Sequence, residues 1–142
     1  MDTQTSRRLK MLGMVLFLLG LLTGLAVMNT KNPRMGLSAH LEGVMNGTFL
    51  VVAGFLWNEL KLSSGLKKVL FWALVYGTYV NWLSTLLAAV LGTSKTTPIA
   101  GAGFAGSELH ETIVTAGLVS IALAMVFSLS VIVYGLRGKQ EE

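Results

Sequence analysis

The chain contains no cysteine, which excludes disulfides, thiolate metal ligands and covalently attached c-type haem. Charge is the next scarcity. Only 13% of its 142 residues are charged, against about 25% in an average soluble domain. A soluble fold of this size cannot cover its surface with so few. Acids are the scarcer sign, 7 against 11 lysines and arginines, for a net charge of +4. That excess does not mark a nucleic-acid binder. The basic residues sit in short clusters between long apolar runs, which is a membrane arrangement. Aromatics make up only 8%, and the apolar runs are continuous rather than alternating, so transmembrane barrel strands are excluded. Disordered, small secreted and zinc-finger classes fall with the same composition.

What is present is apolar length. A helix needs about 20 mostly apolar residues to cross a bilayer. Residues 11–30, 69–94 and 112–136 contain no charge. A shorter clean run, 43–58, reaches that length only if its helix starts near Ser38 and takes His40 and Glu42 with it. The expected fold is an all-α integral membrane protein, one domain built as a four-transmembrane-helix bundle. Its helices are placed at about 9–30, 38–60, 67–92 and 108–136. The first apolar run is longer than a signal-peptide core and lacks an A-x-A cleavage site, so it reads as a retained helix.

Eight of the basic residues fall in the N-terminal segment (Arg7, Arg8, Lys10), the second loop (Lys61, Lys67, Lys68) and the C-terminal segment (Arg137, Lys139). Lys31, Arg34 and Lys95 fall in the other two loops. The positive-inside rule therefore places both termini in the cytoplasm, with the chain in the inner (cytoplasmic) membrane. Asn32-Pro33 breaks the chain after the first helix, Ser38 is a candidate cap for the second, and Ser107 for the fourth. Gly13, Gly20 and Gly24 form a smooth stripe on the first helix, suited to close helix contact. Gly101, Gly103 and Gly106 match G-x-G-x-x-G. That motif binds dinucleotides only after a strand, with an acid about 20 residues on. Here it follows a transmembrane helix, and no acid lies between Glu111 and residue 136. It reads as a glycine-rich loop.

Ionisable and amide groups inside a span are costly and so are functional candidates. On the second helix, His40, Gly43, Gly47, Gly54 and Asn58 share one stripe, while Glu42, Asn46, Ala53 and Trp57 share another. Two glycines below a histidine leave room for a flat ligand, and histidine is a common axial ligand of haem iron. From spacing alone, a helix-packing seam with His40 at the headgroup level is the simpler reading. On the third helix, Thr78, Asn81 and Thr85 fall on one face among Tyr76, Tyr79 and Trp82. That face reads either as a substrate pocket or as interhelical hydrogen bonding. His110 opens the fourth helix between Glu108 and Glu111. A solvated helix start is its simpler reading, and a haem held by both His40 and His110 in an electron-transfer protein is the other.

The segment NPRMGLSAHLEGVMNGTFLVVAG, residues 32–54, and YGTYVNWLSTLLAA, residues 76–89, resemble hydroxylaminobenzene mutase. The resemblance spans nearly the whole chain. That family converts hydroxylaminobenzene, a small aromatic hydroxylamine, into 2-aminophenol. The His-x5-Asn-Gly block is also similar to that of styrene oxide isomerase, a trimeric four-helix membrane enzyme that binds haem b and uses its iron as a Lewis acid. The resemblance implies that His40 ligates haem iron, with Gly43 and Gly47 beside the cofactor, and that Asn46 holds the substrate oxygen. It further implies a homotrimer. Asn81 matches an asparagine on the third helix, but Thr85 stands where the epoxide isomerase has a tyrosine, which favours the mutase. In this reading Asn46, Asn81, Tyr79 and Glu42 act on the substrate, and Trp82, Thr85 and Thr78 line its pocket. An epoxide isomerase on the same scaffold is the alternative.

Overall fold

A computed structural model describes residues 2–137. Within them the chain forms α1 (Asp2–Ala26), α2 (Pro33–Leu56), α3 (Ser64–Leu91), a single-turn α4 (Pro98–Gly101) and α5 (Glu108–Leu136). There are no strands among the described residues. Four helical spans are long and apolar enough to cross a membrane: Thr3–Asn29, Pro33–Glu59, Ser64–Leu91 and Glu108–Leu136. This is the make-up of a multi-pass membrane protein. Lys139, part of the charge argument, lies outside the described residues.

Helix boundaries follow from local chemistry. The α2 helix begins at Pro33 rather than near Ser38, because Asn32 caps it. The Asn32 side chain accepts from the Arg34 and Met35 amides at 3.1 and 3.3 Å, and Pro33 fills the first turn, where no N–H is needed. Asn32 is fully buried. It also donates through Nδ2 to the Ala100 carbonyl at 2.9 Å and through its amide to Ala89 at 3.0 Å. The Ser38 hydroxyl instead bonds back to the Arg34 carbonyl. Ser63 caps α3, and Gly92 ends it in the left-handed region at φ 71°. Ser107 caps α5 as its position implied.

The loop between α3 and α5 is pinned by one acid. Glu111 accepts amide hydrogens from Ser94, Lys95 and Gly106 at 2.9, 2.9 and 3.1 Å. The glycine-rich motif lies inside this loop, and the segment before it is helical.

Packing runs in chain order: α1 on α2, α2 on α3, and α3 on α5, with α1 also touching α3. Thus α3 is central and α5 peripheral; 39% of the most apolar window of α3 is buried, against 17% for α5. The α1–α2 contact is a glycine seam. A Cβ on Gly20 would lie 2.6 Å from the Val44 nitrogen, and one on Gly47 would lie 2.5 Å from the Phe17 nitrogen. The two backbones touch, which is how small residues bring membrane helices together.

Two apolar clusters fill the interior. One joins Leu16, Leu50, Trp57, Leu70 and Leu74 with Ile132, the other Met35, Ala88, Ala89 and Val114. Between them along α2 and α3 lies a polar layer. The first half of α1, the α2–α3 turn and the end of α5 share one end of the molecule. Ser6 bonds to the Gly54 carbonyl there at 2.6 Å, and the Lys61 amide to Gly135 at 3.0 Å.

Candidate active site

The polar layer is organised by a single carboxyl group. Glu42 Oε2 accepts from Asn46 Nδ2 at 3.0 Å and from Asn81 Nδ2 at 2.7 Å. Glu42 and Asn46 are one turn apart on α2, so the helix itself brings them together. Asn81 arrives from α3. A carboxyl flanked by two amides draws an N–H from each, which turns both amide oxygens away from it. Asn46 is buried, while Glu42 and Asn81 are half-buried. Each amide keeps a second N–H and a carbonyl oxygen for a small polar guest.

His40 lies on the other stripe of α2, toward α1. Its Nδ1 is 2.8 Å from the Gly20 carbonyl oxygen. A carbonyl only accepts, so this contact places the ring proton on Nδ1 and leaves the lone pair of Nε2 free to ligate a metal. Gly24 makes room for the imidazole, since a Cβ there would come within 2.7 Å of Nδ1. The free nitrogen is of the kind that would ligate haem iron. The glycines do not form the expected cradle. Gly43 is pressed between Gly20 and the Trp82 ring, and Gly47 between Gly13 and Phe17. The α1 backbone already fills the space beside them, so within one chain they serve the helix seam.

The remaining candidates separate clearly. Trp82 borders the layer, its indole donating to Thr23 Oγ1 at 3.1 Å while that hydroxyl donates to the Leu19 carbonyl at 2.8 Å. Tyr79 is turned away. Its phenol donates to the Leu12 carbonyl at 2.8 Å and ties α3 to α1. The Thr78 and Thr85 hydroxyls are buried and bond to carbonyls of their own helix, Leu74 and Asn81, both at 2.7 Å. They lie on the expected face but offer no free hydroxyl. Tyr76 meets Ser120 of α5 at 2.7 Å. His110 does not meet His40, because α5 packs on α3 while His40 faces α1. The bis-histidine reading has no helix interface to occupy within a chain.

Sequence reasoning passed over Thr23, which sits in a run read as uniformly apolar. Its place three residues after Gly20, on the seam side of α1, was the available signal.

A carboxyl able to exchange a proton, two amides able to hold an oxygen, and a histidine with a free ligating nitrogen lie within two turns of α2 and the facing stretch of α3 in a four-span chain. Moving a proton and an oxygen within one small molecule calls for such groups and for no co-substrate, and the class is that of membrane isomerases. The chain belongs to the styrene oxide isomerase family, whose model matches residues 5–137. It is 46% identical to hydroxylaminobenzene mutase HabB of Ectopseudomonas oleovorans over 138 residues, covering 96% of this chain and 84% of that protein. It is also 46% identical to hydroxylaminobenzene mutase HabA of the same organism, covering 87% and 93%. No solved structure matches the chain.

Proposed function

We propose that this chain isomerises hydroxylaminobenzene to 2-aminophenol, with its termini and basic end in the cytoplasm and the protein a homotrimer in the inner membrane. The observation that carries the reading is the Glu42 carboxyl held between Asn46 and Asn81, on the helix that carries His40. The two mutase relatives choose the substrate.

The reaction is an internal redox exchange. The N–O bond breaks and a C–O bond forms at the ortho carbon, so nitrogen is reduced and carbon oxidised. The ortho carbon loses a proton and the nitrogen gains one. His40, through Nε2, is the residue that would hold haem b, which when bound supplies Lewis acidity toward the hydroxyl oxygen.

The chain's own groups account for the rest. The free N–H of Asn46 donates to the oxygen as charge builds on it. Asn81 orients the hydroxylamine, and the Trp82 face holds the ring. Glu42 takes the ortho proton and returns it to nitrogen, a general-base role suited to a carboxyl in contact with both amides. Tyr79 contributes its ring to packing only, since its phenol is committed to Leu12. The surrounding apolar residues keep water from an electron-poor aromatic intermediate.

Turnover by the purified protein in oxygen-18 water tests this. The 2-aminophenol hydroxyl should carry no label above the slow background. Heavy label, or failure to convert hydroxylaminobenzene, overturns the proposal. Styrene oxide offered to the same preparation should react far more slowly, consistent with Thr85 in place of a tyrosine.

A further inference from the structure

A cavity of about 500 Å³ lies at the basic end, remote from Glu42 and His40, between the start of α1 and the turn into α3. Arg8, Lys67 and Lys68 form part of its wall, and no acidic side chain among the described residues lines it. Trp57, Phe71 and Trp72 form the aromatic part. Phe71 meets Trp57 edge-on at 6.4 Å and Trp72 at 5.3 Å.

Two further features point to an anion. The cavity opens onto the first residues of α3, including Gly65, over which there is open space. The unpaired amides of a 28-residue helix give that end partial positive charge. Independently, Trp57 is 1% exposed, and its indole N–H has no hydrogen-bond partner. Buried polar groups are almost always paired, and Trp57 is one of the residues that line the cavity.

We propose that this cavity binds the phosphate of one anionic phospholipid headgroup. The shared chemistry is a phosphate oxyanion, taken by Arg8, Lys67 and Lys68 and by the Trp57 indole. A lipid rather than free phosphate is favoured by the setting. The cavity sits where α2 ends and α3 begins, at headgroup depth for helices of this length. Trp72, 62% exposed beside it, offers an apolar face to the adjoining acyl chains.

The test is native mass spectrometry of the delipidated full-length protein in detergent, titrated with phosphatidylglycerol, phosphatidylcholine or inorganic phosphate. One phosphatidylglycerol per chain should bind, and phosphatidylcholine should bind much more weakly. The double variant Arg8→Gln/Lys68→Gln should lose about 25-fold in affinity, at roughly fivefold for each basic side chain near an anionic lipid. Arg7→Gln/Lys61→Gln, which removes equal charge outside the cavity, should change it less than twofold. The indole NMR resonance of Trp57 should move downfield with phosphatidylglycerol. Equal losses in the two double variants, or equal binding of phosphatidylcholine, would overturn the proposal. So would inorganic phosphate that displaces the lipid at millimolar concentration.

Discussion

Glu42 and His40 are two residues apart, yet the turn of α2 sends them to different neighbours. Glu42 meets Asn81 of α3, and His40 meets the Gly20 carbonyl of α1. Their roles therefore separate by substitution. Glu42→Gln preserves shape and one acceptor oxygen but removes the exchangeable proton. Activity should fall about 10²–10⁴-fold, the usual contribution of a positioned acid–base group. The absorption spectrum and thermal midpoint should stay unchanged. With His40 as the proposed haem ligand, the purified protein should show a Soret band that His40→Ala abolishes along with activity. If Glu42→Gln keeps activity within a few-fold of the parent, Glu42 serves only to orient the two amides.

The separation of His40 from Glu42 was legible in the sequence, because helical periodicity alone sorts residues 40–47 into two stripes; their partners on α1 and α3 were not. What could not be read was the use made of each hydroxyl. Tyr79 sits beside Asn81 in the chain, but its reach of several ångströms carries the phenol to Leu12 on another helix. A long side chain ends where tertiary packing lets it, so chain position alone does not assign its partner. Short side chains such as Thr78 and Thr85 fall back on the carbonyl one turn earlier.

At the scale of the helices, uncharged length located three of the four spans, because bilayer thickness acts on length; the second had to be extended through His40 and Glu42 to reach it. Boundaries were harder. Asn32-Pro33 carries two opposite signals, a chain break and a strong helix start, and the buried Asn32 cap decides for the second. His40 consequently lies about 10 Å beyond the start of α2 at 1.5 Å per residue, rather than in its first turn.

The glycine stripe of α1 was expected to form a close contact, and its partner is the very stripe of α2 considered for the cofactor. That exchange of roles is testable. Gly47→Val inserts atoms where the Phe17 and Gly13 backbones already sit. Overpacking of this kind costs about 1–3 kcal/mol, to be read as a lowered unfolding midpoint in mixed micelles. Gly65→Ala is the contrast, since nothing lies within 4 Å of its added Cβ. It should leave stability unchanged or raise it by up to about 1 kcal/mol through helix propensity. Equal destabilisation by both would show that the seam is not a backbone contact.

Across the whole molecule, charge and packing define two unlike ends. Arg7, Arg8 and Lys10 lie toward the same end as Lys61, Lys67, Lys68 and Arg137, because Ser6 bonds to Gly54 and the Lys61 amide to Gly135. Lys31, Arg34 and Lys95 lie at the other end. There Arg34 reaches the Ala102 carbonyl, and Lys31 reaches the carbonyls of Leu91 and Ala105 at 3.2 and 3.3 Å. Orientation by the positive-inside rule rests on such loop charges near span ends. The absence of cysteine makes the orientation directly measurable, because any introduced thiol is unique. Thr3 is exposed at the basic end, and Ile99, 90% exposed, projects from α4 at the other. In spheroplasts expressing the protein, a membrane-impermeant maleimide should label Ile99→Cys at once and Thr3→Cys only after permeabilisation. Both variants should remain active, since neither residue touches the Glu42–Asn81 layer. The reverse labelling order would place the basic end, and with it the proposed headgroup cavity, on the outer face. Glu42 lies nine residues into a 24-residue helix, counted from the less basic end, so the same result also decides which leaflet is nearer the site.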